Sequence, residues 1–334
     1  MFLYRILLYL CILLPLCLAL PATADSPGAD KRARQLYEQG LRLKLNGRLE
    51  EAEERFTAAI KANKSYAAPY IELANLYRLQ QQPETAKQQL LLLLEQHAGH
   101  GEALAALAEI YFEQKGYEDA LTYAFRAKEQ GAPHMNSIIG LSYSFLDHPA
   151  EAVRALELAL LEEPDQPVLL CRIARLHAQE EDYAKALTYY EKALKADSTS
   201  AGVYYESGMM HFNMKNYKNA AGAFEQAARL GHPGNAELYV NLGLAQLKQS
   251  AFDDAIRNLQ AALSLRPNDI QIMQSLANAY YKKQDYPQAV AQWNHILVLQ
   301  PMNAFAMFML GKSYICSGEV AKGQGICDQA LQLH

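Results

Sequence analysis

Small residues recur along this chain at a fixed interval, with larger apolar residues spaced between them. Residues 239–267, YVNLGLAQLKQSAFDDAIRNLQAALSLRP, carry Gly243, Ala255 and Ala262 and close on Pro267. The same grid stands 35 residues earlier as Gly208, Ala220 and Ala227, and 34 residues later as Ala277, Ala289 and Ile296, closed by Pro301. A period of this length decides architecture before any local reading, because each copy is one supersecondary unit that needs its neighbours.

Nine units tile the chain, with first residues at 33, 67, 101, 133, 167, 201, 236, 270 and 304. A short polar lead-in, residues 25–32, precedes them, and no linker or second domain interrupts 33–334. The eighth residue of every unit is Gly or Ala, from Gly40 and Ala74 to Ala277 and Gly311. The twentieth is Ala in eight units and Gly323 in the last, and the twenty-fourth is mostly large, as in Phe56, Tyr190, Phe224 and Trp293. Positions 4, 7, 8 and 11 share one face of a first helix, and 20, 24 and 27 share one face of a second. Small side chains at 8 and 20 let the two backbones approach, and large ones at 4 and 24 fill the space above and below. Gly47, Gly116 and Gly318, or Pro83 and Pro149, sit where the chain turns between helices. Pro164, Pro267 and Pro301 stand where the second helix must stop. The predicted fold class is all-α.

This grid resembles the tetratricopeptide repeat, over residues 33–334. The resemblance implies helix–turn–helix units stacked as a right-handed superhelical solenoid, with the first helices lining a concave wall. Departures are mild: His177, His211 and Gln246 hold the eleventh position, where Tyr is usual. The resemblance also implies that positions 2, 5, 9 and 12 carry the contacts to a protein or peptide partner. In the first half these are mostly polar: Arg34, Lys44, Asn75, Arg78, Glu102, Glu109, His134, Ser137, Ser144 and Arg175. In the second half they turn apolar and aromatic: Tyr205, Met209, Phe212, Val240, Leu244, Leu247, Tyr281, Phe305, Phe308 and Ile315, with Gln274 and Asn278 among them. The expected partner site is Tyr205, Met209, Phe212, Val240, Leu244, Leu247, Asn278, Tyr281, Phe305 and Phe308, with about half of the wall residues packing between helices instead. A chaperone-type carboxylate clamp is not expected, because Ile71 and Ala106 stand where that clamp would need Lys and Asn beside Asn75.

Composition adds a destination and removes several chemistries. The leader MFLYRILLYLCILLPLCLALPATAD has one charge, Arg5, an apolar run over 6–20, and small residues at Ala22 and Ala24. The run is short for a bilayer span of about 20 residues. It reads as a secretory signal, residues 1–24, cut after Ala24, with an uncleaved membrane anchor as the alternative. Export is therefore expected, to a bacterial periplasm. The formal net charge is −5, so nucleic acid, which requires clustered basic residues, is not an expected partner.

Cys171, Cys316 and Cys327 remain after the leader, an odd and irregular set that is no disulfide framework. No GxSxG, HExxH, CxxC, glycine-rich phosphate loop or Ca²⁺ loop is present, so no enzyme, cofactor or small-molecule substrate is expected. His97 and His100 form an HxxH at a unit junction, and His177 and His211 fall at the same position of successive units, with Met209, Met210 and Met214 nearby. Such a set could sense pH or attract a soft metal, but His97 and His100 read as exposed junction histidines, packing roles are expected for the others, and no metal is expected. The last unit has no polar capping helix after EVAKGQGICDQAL, which gives two expectations: a scaffold whose last unit docks a partner, or a self-associating or membrane-tethered subunit.

Overall fold

A computed structural model describes residues 27–233 and 235–333. The signal and its cleavage site lie outside the described residues. Among the described residues there are 18 α-helices and no strand. They form pairs: α1 (Pro27–Leu45) with α2 (Leu49–Ala62), α3 (Ala67–Leu79) with α4 (Pro83–Gln96), and α5 (Gly101–Glu113) with α6 (Tyr117–Glu129). Then come α7 (Met135–Phe145) with α8 (Pro149–Glu162), α9 (Pro167–Gln179) with α10 (Tyr183–Ala196), and α11 (Ala201–Asn213) with α12 (Tyr217–Arg229). The last are α13 (Asn235–Lys248) with α14 (Phe252–Leu265), α15 (Ile270–Lys282) with α16 (Tyr286–Leu299), and α17 (Ala304–Cys316) with α18 (Val320–Leu331). Helix α1 begins at Pro27, so most of the polar lead-in is helical; Asp30 in its first turn pairs with Arg34 one turn on, at 3.1 Å. The chain divides into two compact units between Pro133 and His134, α1–α6 and α7–α18.

The turn within each pair has one conformation. The fifteenth residue of every unit lies in the left-handed region: Gly47, Gln81, Lys115, Asp147, Glu181, Lys215, Ser250, Gln284 and Gly318. The next residue donates its N–H back to the carbonyl of the eleventh, as Gln82 does to Tyr77 and Asn216 to His211, both at 2.8 Å. This is a Schellman-type closure, which satisfies a carbonyl the helix end would otherwise leave open. Only two of the nine residues are glycine, and Gly116, predicted as a turn glycine, is the residue after the left-handed one.

Within a pair, position 8 meets position 24. A Cβ placed on Gly208 would stand 2.6 Å from the Phe224 ring, and one on Gly140 would stand 2.6 Å from Leu156. Between consecutive pairs of one compact unit, a stripe at positions 3, 7 and 10 of the later first helix packs on positions 20, 24 and 27 of the second helix before it. Leu169, Ile173 and Leu176 of α9 join Ala152, Leu156 and Ala159 of α8 in one core. Leu238, Leu242 and Ala245 of α13 join Ala220, Phe224 and Ala227 of α12 in another. In the first unit, Leu73 and Leu76 of α3 cover Ala52 and Phe56 of α2 in the same way. Within each compact unit, a helix pair thus completes the core of the pair before it, which makes stability a sum over neighbours.

Candidate functional site

Within each compact unit, successive odd-numbered helices also touch one another, and residues at positions 9 and 12 carry many of the polar contacts between them. In the first unit, Lys44 Nζ of α1 lies 2.6 Å from Glu72 of α3. Arg78 of α3 reaches forward to Glu109 at 2.9 Å and Glu113 at 2.8 Å on α5. In the second unit, Arg175 of α9 pairs with Glu206 of α11 at 2.9 Å. Asn241 of α13 donates to Tyr205 Oη at 2.9 Å and lies 3.3 Å from Met209 Sδ. Tyr281 of α15 lies 3.4 Å from Cys316 Sγ of α17. Of the polar residues expected on the wall, Lys44, Arg78, Glu109 and Arg175 are thus engaged between helices, and the acids Glu72 and Glu206, at the sixth position, carry no signal in the sequence.

Glu206 is the most heavily used of these acids. It accepts from Arg175 and, at 2.7 Å, from the hydroxyl of Tyr190, whose ring is buried in the core. Burial first, and then the Glu206 carboxylate, push the Tyr190 hydroxyl well above the ordinary phenol range. The Glu206 bond raises the Arg175 guanidinium further, against the opposing effect of its burial. The hydrogen bond to Cys316 and partial burial push Tyr281 up to about 12.

The predicted partner residues separate into three groups. Tyr205, Met209 and Phe212 on α11, Val240 and Leu244 on α13, and Asn278 and Tyr281 on α15 are all partly exposed, on one layer of adjacent first helices. Leu247 is not a wall residue: at 6% exposed it belongs to the core with Ala255, Leu259 and Leu276, because α15 packs over it. Phe305 and Phe308 are exposed at 57% and 37% but line a separate apolar notch with Ala304, Ala330 and Leu331. Phe305 also meets the Trp293 ring edge-on at 5.8 Å. Phe305 and Phe308 hold positions 2 and 5 of their unit, and position 5 also carries Tyr205 and Val240; in α17 both residues lie beside Ala330 and Leu331 of α18.

The histidines have local roles. His97 Nε2 lies 2.8 Å from the Ser65 carbonyl, and His100 Nδ1 accepts from Ala103 N at the start of α5. His177 stacks on Tyr189 with ring centroids 5.7 Å apart. The Nδ1 atoms of His177 and His211 are buried without a hydrogen-bond partner, and burial lowers the pKa of His211. Among the described residues no three His, Cys, Asp or Glu side chains come together as a metal site. The three cysteines are free thiols. Cys316 sits against Tyr281, while Cys327 reaches the Phe308 carbonyl at 3.6 Å, two turns away along α17. No described helix is long and apolar enough to cross a membrane.

Comparison with known proteins agrees with this architecture. Tetratricopeptide-repeat family profiles match residues 167–200, 205–270 and 246–310. The chain therefore carries tetratricopeptide repeats, and its fold is a helical solenoid of that class. It is 23% identical over 249 residues to mouse tetratricopeptide repeat protein 21B, covering 66% of this chain and 19% of that protein. It is 24% identical over 254 residues to the TPR repeat-containing protein YpiA of Bacillus subtilis, covering 72% and 58%. Both relatives are longer than the part this chain spans. Among solved structures, PilF of Pseudomonas aeruginosa superposes with a TM-score of 0.52 at 21% identity, over 66% of this chain and 99% of that one. Tetratricopeptide-repeat proteins act as protein-interaction scaffolds.

Proposed function

We propose that this protein is an exported, non-enzymatic scaffold that binds a peptide segment or a partner protein along the first-helix layer of its second unit, and that it assists assembly of a bacterial envelope complex. The observation that carries the reading is the row Tyr205, Met209, Phe212, Val240 and Leu244 on adjacent α11 and α13, aromatic and apolar yet partly open to water. Such side chains are typical binding hot spots, held ready on helices already locked by the repeat cores. Export rests on the apolar run at 6–20 followed by Ala22-Thr23-Ala24.

Affinity capture from envelope fractions tests the reading. Wild-type protein should retain partners that a folded Phe212→Glu/Leu244→Glu variant loses; capture of the same proteins by both would dismiss the wall as the site. Mass spectrometry of the mature protein should find Asp25 at its amino terminus, and an intact residue 1–24 segment would replace export by tethering.

A further inference from the structure

Charge at the carboxyl ends of the first helices is disposed differently in the two compact units. In the first, Lys44 of α1 and Arg78 of α3 are spent on carboxylates, Glu72 for one and Glu109 with Glu113 for the other. In the second, Lys215 stands in the turn after α11, and Lys248 and Lys282 are the last residues of α13 and α15. All three are exposed, and among the described residues none has an ion-pair partner. The acids along that rim are already held: Asp253 by Lys283 at 2.5 Å, Asp254 by Arg257, and Asp285 by the N–H of Gln288. Of the other charges on this layer, Arg175 and Glu206 close on each other. Glu237 lies in the first turn of α13, about three turns from Lys248.

A lysine in the last turn of a helix is favoured by the helix dipole alone. The dipole does not demand it, since Glu113 and Asn213 hold the same place at the ends of α5 and α11. Lys248 follows Leu244 by one turn and Lys282 follows Asn278 by one turn, on the face that carries position 9. Lys215 donates its backbone N–H to the Phe212 carbonyl at 2.9 Å. The row Tyr205, Met209, Phe212, Val240 and Leu244 is thus bordered along one edge by three cations, in a chain whose formal net charge is −5. Resting on the wall as the binding site, we infer that its partner is an acidic segment: apolar side chains seat on Met209, Phe212 and Leu244, and Asp or Glu side chains reach Lys215, Lys248 and Lys282. Packed helices lie about 8–10 Å apart, a span an extended chain crosses in about three residues. Acids recurring at about every third place, with apolar residues between, would meet all three lysines. Asn241, Gln274 and Asn278, partly exposed on the same layer, offer donors and acceptors to the segment's backbone. Pairing along the rim selects the sign of the partner more than it adds affinity.

The probe is a fluorescein-labelled peptide of repeated Leu-Glu-Glu triplets, about twelve residues so as to cross three helices. Its carboxyl end is amidated, so that only side-chain carboxylates can pair. A Leu-Lys-Lys peptide of the same length is its reverse. Anisotropy should show the acidic peptide binding the purified protein, more weakly as salt is raised, and the basic peptide not binding. Lys215→Glu/Lys248→Glu/Lys282→Glu, all at exposed positions, should weaken the acidic peptide at least about tenfold, or about 1.4 kcal/mol. The same variant should gain binding of the basic peptide. Lys31→Glu/Lys64→Glu/Lys115→Glu, equal in charge but in the other compact unit, should bind as wild type does. The proposal is overturned if the two lysine variants bind the acidic peptide alike, or if the basic peptide binds wild-type protein as well as the acidic one. Capture from envelope fractions separates this failure from failure of the wall. If Phe212→Glu/Leu244→Glu loses partners that the Lys215/Lys248/Lys282 variant keeps, the wall stands and its acidic partner falls. If the Phe212/Leu244 variant keeps them too, the wall falls and the acidic partner with it.

Discussion

Gly208 on α11 and Phe224 on α12 are in contact with no room to spare: a methyl group on Gly208 would stand 2.6 Å from the ring. The ring is fully buried, held by Ala220, Ala227 and Leu238, so it has nowhere to move. Gly208→Ala should therefore destabilise the protein by about 1–3 kcal/mol, the usual cost of overpacking. Urea unfolding checks it. Units with Ala at this position, such as the pair Ala174 and Tyr190, have already adjusted their spacing, so Ala174→Gly should cost only its helix-propensity difference, about 1 kcal/mol.

Glu206 joins three elements through one carboxylate. It takes hydrogen bonds from Arg175 on α9 and Tyr190 on α10 while sitting on α11. Removing it strands the Tyr190 hydroxyl at a buried site, so Glu206→Ala should cost about 1–3 kcal/mol. Arg175→Ala should cost less, because the pair is half-exposed and Tyr190 keeps its acceptor. Thermal unfolding of the two variants gives the order.

Much of this arrangement was legible in the chain because small residues leave a strong trace. Gly208 above Phe224, and Ala186 beside Tyr190, are forced by how near two backbones must come, and sequence displays that demand directly. The 3, 7, 10 stripe is written in the chain too, as in Leu169, Ile173 and Leu176, but the small residues at position 8 leave the stronger trace on the neighbouring face. The forward pairs were not legible. Lys44, Arg78 and Arg175 look like solvent-facing charges until the following helix places Glu72, Glu109 and Glu206 against them. Leu247 and Phe308 show the same limit: whether a position is wall, core or edge depends on the neighbour laid over it. The left-handed turn was masked because Lys115 or Glu181 can occupy it at a modest cost.

His211 should make the second unit acid-sensitive. Burial lowers its pKa from 6.5, with nearby Glu191 opposing that shift. A depressed folded-state value means the unfolded chain binds the proton more readily. The stabilising contribution is then complete above about pH 6.5, where both states are neutral, and is lost as pH falls through the folded-state value. His211→Phe should remove this part of the dependence. Between pH 7.5 and 5 the urea midpoint of the wild-type protein should fall further than that of His211→Phe; equal falls would dismiss the buried ring as the cause.

The fifteenth position offers the reverse experiment, a gain in stability. Gln284 holds φ at 68°, where Gly47 and Gly318 serve the same turn in other units. A side chain with a Cβ is strained in that region, and glycine is not. Gln284 closes its turn through its backbone N–H to the Tyr281 carbonyl at 3.0 Å, a bond glycine keeps. Relief of strain is offset partly by the extra freedom glycine has when unfolded, so Gln284→Gly should stabilise by about 0.5–1 kcal/mol. Gly318→Gln, at φ 99°, should destabilise by at least as much. Opposite shifts in the urea midpoint, with unchanged slopes, would show that the turn is set by backbone conformation and not by the side chain it carries.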